Sequence, residues 1–192
     1  ASQQAEIDAE LARLQKQLAS PADLDEKLQQ WASNISGKPT SGWQTLVPLS
    51  MRSTGGSTLT KLEDNSILAG SANPAKDIYE ITAKTDAAKI TAVRLEALTH
   101  RSLPGGGPGR HSNSNFVLSE FELTAVSVVD SSKSQSIKFT RAVADYSQAN
   151  YEIAKAIDGT VAGNNGWAVD GPTRKKPANA IFVADAPFRF YC

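Results

Sequence analysis

Residues 101–123 read RSLPGGGPGRHSNSNFVLSEFEL. Four glycines and two prolines crowd the first half, and an apolar run carrying Glu120 and Glu122 follows. A phosphate-binding loop has the spacing GxxxxGK[ST] and opens onto a helix N-terminus, where free N–H groups meet the anion. Here the lysine is missing, Pro108 removes one donor, and the residues that follow favour strand over helix. The stretch therefore argues against a nucleotide fold. It predicts a long, tightly turned loop crossing the rim of a β domain.

The neighbouring sequence extends that reading. Short runs rich in β-branched and aromatic residues lie at 43–49, 57–62, 66–70, 77–83, 89–98, 115–128, 136–143 and 179–184. Asp64-Asn65 between apolar flanks predicts a tight hairpin turn. Over 90–97, alternation places Thr91, Val93, Leu95 and Ala97 on the core face and Ile90, Ala92, Arg94 and Glu96 on the other. Many short strands separated by Gly, Pro and Asn turns predict a mainly β domain over 43–192, built as a β-sandwich.

Residues 1–36 follow a different period. Ile7, Leu11, Leu14 and Leu18 fall on one helical stripe, as do Leu24, Leu28, Trp31 and Ile35. Ser20, Pro21 and Asp23 between them are helix-start signals. The expectation is an α-helical hairpin whose paired stripes serve as a brace or an oligomer handle.

Composition narrows the function classes. The chain has 192 residues, with 20 Lys and Arg against 20 Asp and Glu. No broad positive field exists to collect phosphates, so a nucleic-acid partner is not expected. No apolar run approaches the roughly 20 residues of a membrane span. Cys192 is the one cysteine, which rules out an intrachain disulfide, a CxxCH haem site and a Cys/His zinc site. Its terminal thiol is expected to be inert. The opening ASQQAEIDAE lacks both a methionine and a charged-then-apolar leader, which fits a mature exported protein and an excised fragment equally well.

No catalytic pattern stands out. His100 and His111 flank the Gly-rich loop beside serines, but no GxSxG elbow is present. Residues 156–171, AIDGTVAGNNGWAVDG, suit a hard cation better. Ca²⁺ takes six to eight oxygens from carboxylates, amides and backbone carbonyls, often in turn-rich segments. Asp158, Asn164, Asn165 and Asp170 sit among glycines there, and Glu120 or Glu122 could add a carboxylate from a strand.

The segments LEDNSILAGSANPAKDIYEI, ITAVRLEAL, SLPGGGPGRHSNSNFVLSEFEL, ADYSQANYEIAKAIDG and GWAVDG occur in that order. Over about residues 43–184 they resemble an uncharacterised domain within the large exported c-type-cytochrome proteins of planctomycete bacteria. The helical segment is similar to ones common in those proteins, and the haem-bearing part is absent from this chain. More distantly, AIDGTVAGNNGWAVDG resembles the AxDGxxxTxW stretch of discoidin-type (factor 5/8 C-type) domains, and NFVLSEFEL resembles their final strand. Asn165-Gly166 stands where that family has a Thr before the Trp.

The discoidin resemblance implies a galactose-binding-like jelly roll. It implies a structural Ca²⁺ held by Glu120 and Asp158, with nearby loops binding polysaccharide without catalysis. The order is inverted, since Glu120 precedes Asp158, so the chain would be a circularly permuted relative. The two residues must then lie within about 10 Å, because Ca–O bonds run only ~2.3–2.6 Å. An aromatic platform with planar hydrogen bonders would hold a sugar. Trp167 and Tyr146, with Arg110, Asn113 and Asn115, are the candidates, and Trp167 is expected to be partly exposed. The cytochrome resemblance implies a periplasmic or extracellular location. Self-association, or docking to a partner cytochrome subunit, is expected through residues 1–36 or a C-terminal sheet edge near PFRFYC.

Overall fold

The computed structural model describes Ile7, residues 42–87 and residues 89–188. The helical hairpin expected over 1–36 (Ile7 apart), the last residues of PFRFYC and Cys192 lie outside the described residues. The chain divides into two compact units, Ala1–Thr45 and Leu46–Cys192, and every described strand lies in the second.

The second unit is mainly β. Its spine is the strand Ala178–Phe188, reading ANAIFVADAPF. Ala178, Ala180, Phe182, Ala184 and Phe188 are buried, and the first four repeat every second residue, the period of a strand with one face in a core. The chain's nine described strands, β1 to β9, end with this one. It is the centre of a three-stranded antiparallel sheet between β5 (Ile90–Ala97) and β8 (Phe139–Ala144). Small alanines on either side of Phe182 leave room for aromatic rings. Phe121 stacks on Phe182 with centroids 4.1 Å apart, and Phe139 sits 5.7 Å away. Ile153, Ala156, Trp167 and Val169 complete this core.

Val93, Leu95 and Ala97 face inward on β5, as the alternation predicts. Thr91 does not. The ladder with β9 slips between Ile90 and Ala92, and this bulge turns Thr91 to solvent.

Two ribbons precede this sheet. The strand β1 (Pro48–Ser53) pairs with β4 (Tyr79–Ala83), and β2 (Ser57–Lys61) pairs with β3 (Ile67–Ser71). Asp64-Asn65 forms the predicted hairpin turn: Asn65 has φ 66°, and the Asp64 carboxylate accepts from Ser66 N and Oγ at 3.0 and 2.6 Å. The run 43–49 starts its strand only at Pro48, whose missing N–H suits a strand's first position.

The long strand expected over 115–128 is not a ladder. Leu118 bridges Trp167, Phe121 N donates to Ala156 O at 2.8 Å, and Leu123 O accepts from Ile137 N at 2.8 Å. Only Thr124–Val126 (β6) pairs as a strand, with Ser134–Ser136 (β7). The segment is apolar enough for a strand, but its backbone groups find partners one at a time on different loops.

Phe182 carries the core, so Phe182→Ala is expected to cost ~3–5 kcal/mol, the range for emptying a well-packed aromatic site. Urea unfolding checks this; a loss under about 1 kcal/mol would mean the three rings do not anchor the sheet.

Candidate functional site: an oxygen cradle and a tied loop

The sequence 153–167 builds a turn that gathers oxygens. Ile153–Ile157 forms a short 3₁₀ helix ending on Asp158. Gly159 (φ 76°) then reverses the chain, and Thr160 N donates to Asp158 Oδ1 at 2.8 Å. The chain returns through Asn165. Its Nδ2 lies 3.0 Å from both Asp158 carboxylate oxygens, 2.9 Å from Thr160 O and 3.3 Å from Lys155 O.

Four oxygens thus face one nitrogen that carries two protons. With Thr160 N also serving Asp158 Oδ1, at least one acceptor goes short of a full hydrogen bond, and the set bears a negative charge. Turning the amide over presents its oxygen instead and makes the cradle entirely acceptor.

Glu120 reaches the same turn from the loop-fed segment. Leu118 N donates to Trp167 O at 2.8 Å, and Trp167 N returns to Leu118 O at 2.9 Å. Gly166 permits this approach: it has φ 139°, and a Cβ there would lie 2.5 Å from Leu118 O. With Phe121 N on Ala156 O, the backbone is held on both sides of Glu120. Glu120 Oε2 then accepts from Gly159 N at 3.0 Å. Glu120 and Asp158, the two metal candidates, are brought together at one turn although 38 positions separate them.

Their titration is pushed apart. Burial raises Glu120 above the ordinary glutamate range; the Gly159 N–H pulls it back, and the charges of Asp158 and Glu122 raise it further. Asp158 is held low, chiefly by the Asn165 amide and the Thr160 N–H. A second negative charge is unwelcome beside the first, and a bound cation would remove that cost.

The oxygens along this turn are of the type calcium takes, with Glu120 one hydrogen bond away on Gly159 N. Asp158, Glu120, the Asn165 amide oxygen and the carbonyls of Lys155 and Thr160 are hard oxygens, and with a bidentate Asp158 they number six. Among the described residues no three His, Cys, Asp or Glu side chains gather around one point, so the amide and carbonyls are essential to this set. Asp170 does not join it. Its carboxylate accepts from Thr173 Oγ1, and its backbone carbonyl accepts from Thr173 N and Arg174 N, closing a local turn.

The expected sugar-binding residues sort differently. Trp167 is fully buried, which corrects the expectation of partial exposure: its ring packs edge-on to Phe116 at 5.4 Å, and its Nε1 donates to Tyr146 O at 2.9 Å. The guanidinium of Arg174 lies 3.8 Å over the Tyr146 ring and covers one face. Asn115 is a brace, donating to Gln148 Oε1 at 2.8 Å and accepting from Val169 N at 3.2 Å. Asn113 is exposed, with its Oδ1 2.7 Å from His111 Nδ1.

Arg110 is committed inward. Nη1 donates to Ser57 Oγ at 2.8 Å and Tyr79 OH at 3.0 Å. Nη2 donates to the carbonyls of Gly70, Ser71 and Ala72 at 3.1, 3.2 and 2.7 Å. Ser57 Oγ in turn donates to Asp77 Oδ2 at 2.7 Å. Asp77 was not singled out in the sequence, yet Ser53 Oγ, Gly55 N and Ile78 N also donate to its carboxylate. Burial pushes Asp77 up, and these hydrogen bonds outweigh it, carrying the value down to about 2. This polar hub ties the Gly-rich loop to β2, β3 and β4. Gly109 lets the loop close, since a Cβ there would fall 2.0 Å from Asn115 O.

Beside the tied loop lies a cleft of about 350 Å³ between β3 and the turn at Pro104. Leu68, Leu103 and Pro104 supply apolar wall; Ser71, Asn73 and Ser102 supply polar groups. Asn73 Nδ2 donates to Arg110 O at 3.0 Å. His100 Nδ1 lies 2.7 Å from Ser102 Oγ and also accepts Ser102 N–H at 3.2 Å, the geometry of a local turn.

No family model matches the chain, and neither a curated protein nor a solved structure does.

The hub sets an acid limb. Asp77's folded value lies below the ordinary ~3.9 of an unfolded aspartate, so its contribution is present above about pH 4 and is lost as the pH falls towards 2. Urea melts between pH 2 and 6 are expected to show this slope in the native chain and a flatter one in Asp77→Asn. Equal slopes would remove Asp77 from the account.

Proposed function

We propose that the Leu46–Cys192 unit is a non-catalytic carbohydrate-binding module of an exported protein, stabilised by Ca²⁺ in the Asp158–Asn165 turn. The observation that carries this reading is Glu120 Oε2 accepting from Gly159 N at 3.0 Å. It joins the two sequence signatures that resemble discoidin-type domains, in the inverted order that a permuted jelly roll requires. When bound, calcium would neutralise Glu120 and Asp158 and fix the turn; this chain's residues supply the oxygens and the rigid backbone around them.

The glycan belongs in the cleft of about 350 Å³, within the size range of small-ligand sites. Leu68, Leu103 and Pro104 suit the C–H face of a sugar ring, and Ser71, Asn73 and Ser102 suit its hydroxyls. Arg110 shapes the wall by holding the loop, rather than by gripping the ligand.

A second reading, subunit assembly without a small ligand, is favoured by the β1–β4 ribbon. Leu49, Ile78 and Ile81 are 67%, 63% and 50% exposed along it.

Calcium at about 100-fold over its Kd is expected to raise Tm by roughly 5–10 °C, and chelator to reverse this. Glu120→Gln should weaken calcium binding about tenfold or more, since charge count tunes such sites. A melt indifferent to calcium would end the metal reading. Glycan arrays run on the native chain and on Ser102→Trp, which fills the cleft, test the ligand. Signal in the former and none in the latter, with equal Tm, is the expected result. No signal from either, with calcium stabilisation intact, would leave assembly as the function.

A further inference from the structure

We propose that the outer edge of β5 is a homodimer interface, pairing antiparallel with the same edge of a second copy about Leu95. The surface is independent of the glycan cleft and of the β1–β4 ribbon. β5 lies at the end of its sheet, with β9 as its one strand partner among the described residues. On the side away from β9 no described strand pairs with its eight residues, and such a row of backbone donors and acceptors is a template for another strand.

The charges on the strand choose the occupant and the register. Arg94 and Glu96 point to the solvent face, 37% and 40% exposed, with Nη2 2.5 Å from Oε1. In an antiparallel pair, residues directly opposite share a face, so two copies related by a two-fold axis must centre on one residue. Centring on Arg94 sets arginine against arginine, and centring on Glu96 sets glutamate against glutamate. Centring on Val93 sets Arg94 against Ala92. Centring on Leu95 alone sets Arg94 opposite Glu96 of the second copy, and Glu96 opposite its Arg94. Opposite charges in such pairs stabilise, and like charges destabilise.

The apolar positions agree with that register. Leu95 meets Leu95 of the second copy, and Val93 meets its Ala97, all on the inward face. Leu98, 39% exposed just past the strand end, comes opposite Ala92. Two three-stranded sheets become one continuous sheet with β5 of each copy at its centre.

The test is sedimentation of the full chain across a concentration series. The native chain is expected to dimerise, more weakly at high salt. Arg94→Glu and Glu96→Arg should each raise the dimer dissociation constant about tenfold or more. Neither variant keeps a pair within its own strand, yet an equimolar mixture of the two should form a heterodimer with all charges paired. Circular dichroism confirms that both are folded. A native chain that stays monomeric at its highest soluble concentration overturns the proposal. So does a dimer that persists in both variants, which would place the contact on another surface, or a mixture that forms no heterodimer.

Discussion

Two hydrogen bonds between Leu118 and Trp167 hold the rest of the site together. They fasten the segment leaving the Gly-rich loop to the segment leaving the Asp158 turn. Without them the backbone at Glu120 would be held on one side alone, by Phe121 N on Ala156 O, and the Trp167 ring would lose its place against Phe116. Gly166 makes the bonds sterically feasible, because any side chain there would strike Leu118 O. One backbone contact thus serves the hydrophobic core on one side and the acidic cradle on the other.

The two polar clusters of the domain are opposite in sign and in completeness. Around Arg110 a cation is surrounded by acceptors, with Asp77 one hydroxyl away, and the network is closed. Around Asn165 the acceptors outnumber the protons, and two carboxylates crowd the turn without a full cation. Lys155 lies close by, but its ammonium is engaged by Glu152 and by Asn150 O. The first cluster is architecture. The second is the cluster on which the calcium proposal rests.

Much of the β organisation was legible because it rests on local rules. The alternation in 89–98, the Asp-Asn turn and the runs at 57–62 and 66–70 each encode a strand or a turn within a few residues. Thr91 escaped the pattern because a bulge depends on the partner strand. The run 115–128 was misjudged for a similar reason: its composition favours extended backbone, but whether a ladder forms depends on what lies alongside.

The site was legible in part. Glu120 and Asp158 were found through a resemblance, and the fold brings them together. Trp167 looked like a surface aromatic because glycine and charged residues surround it in sequence. Its burial is set by Phe116 and Tyr146, 51 and 21 positions away. Arg110 looked free for a ligand, yet its acceptors lie 31 to 53 positions back along the chain. Asp77 gave no local signal, since a carboxylate in a loop becomes a hub only when Ser53, Ser57 and Gly55 N converge on it.

The central claim is that the Asp158–Asn165 turn is an ion site. Terbium luminescence tests it most directly, because Tb³⁺ occupies calcium sites and Trp167, two residues from Asn165, can sensitise its emission. The account predicts saturable emission at one ion per chain, displaced by Ca²⁺ and shifted to about tenfold or more higher terbium in Glu120→Gln. Emission no stronger than that of free terbium, or emission that calcium does not displace, would contradict it.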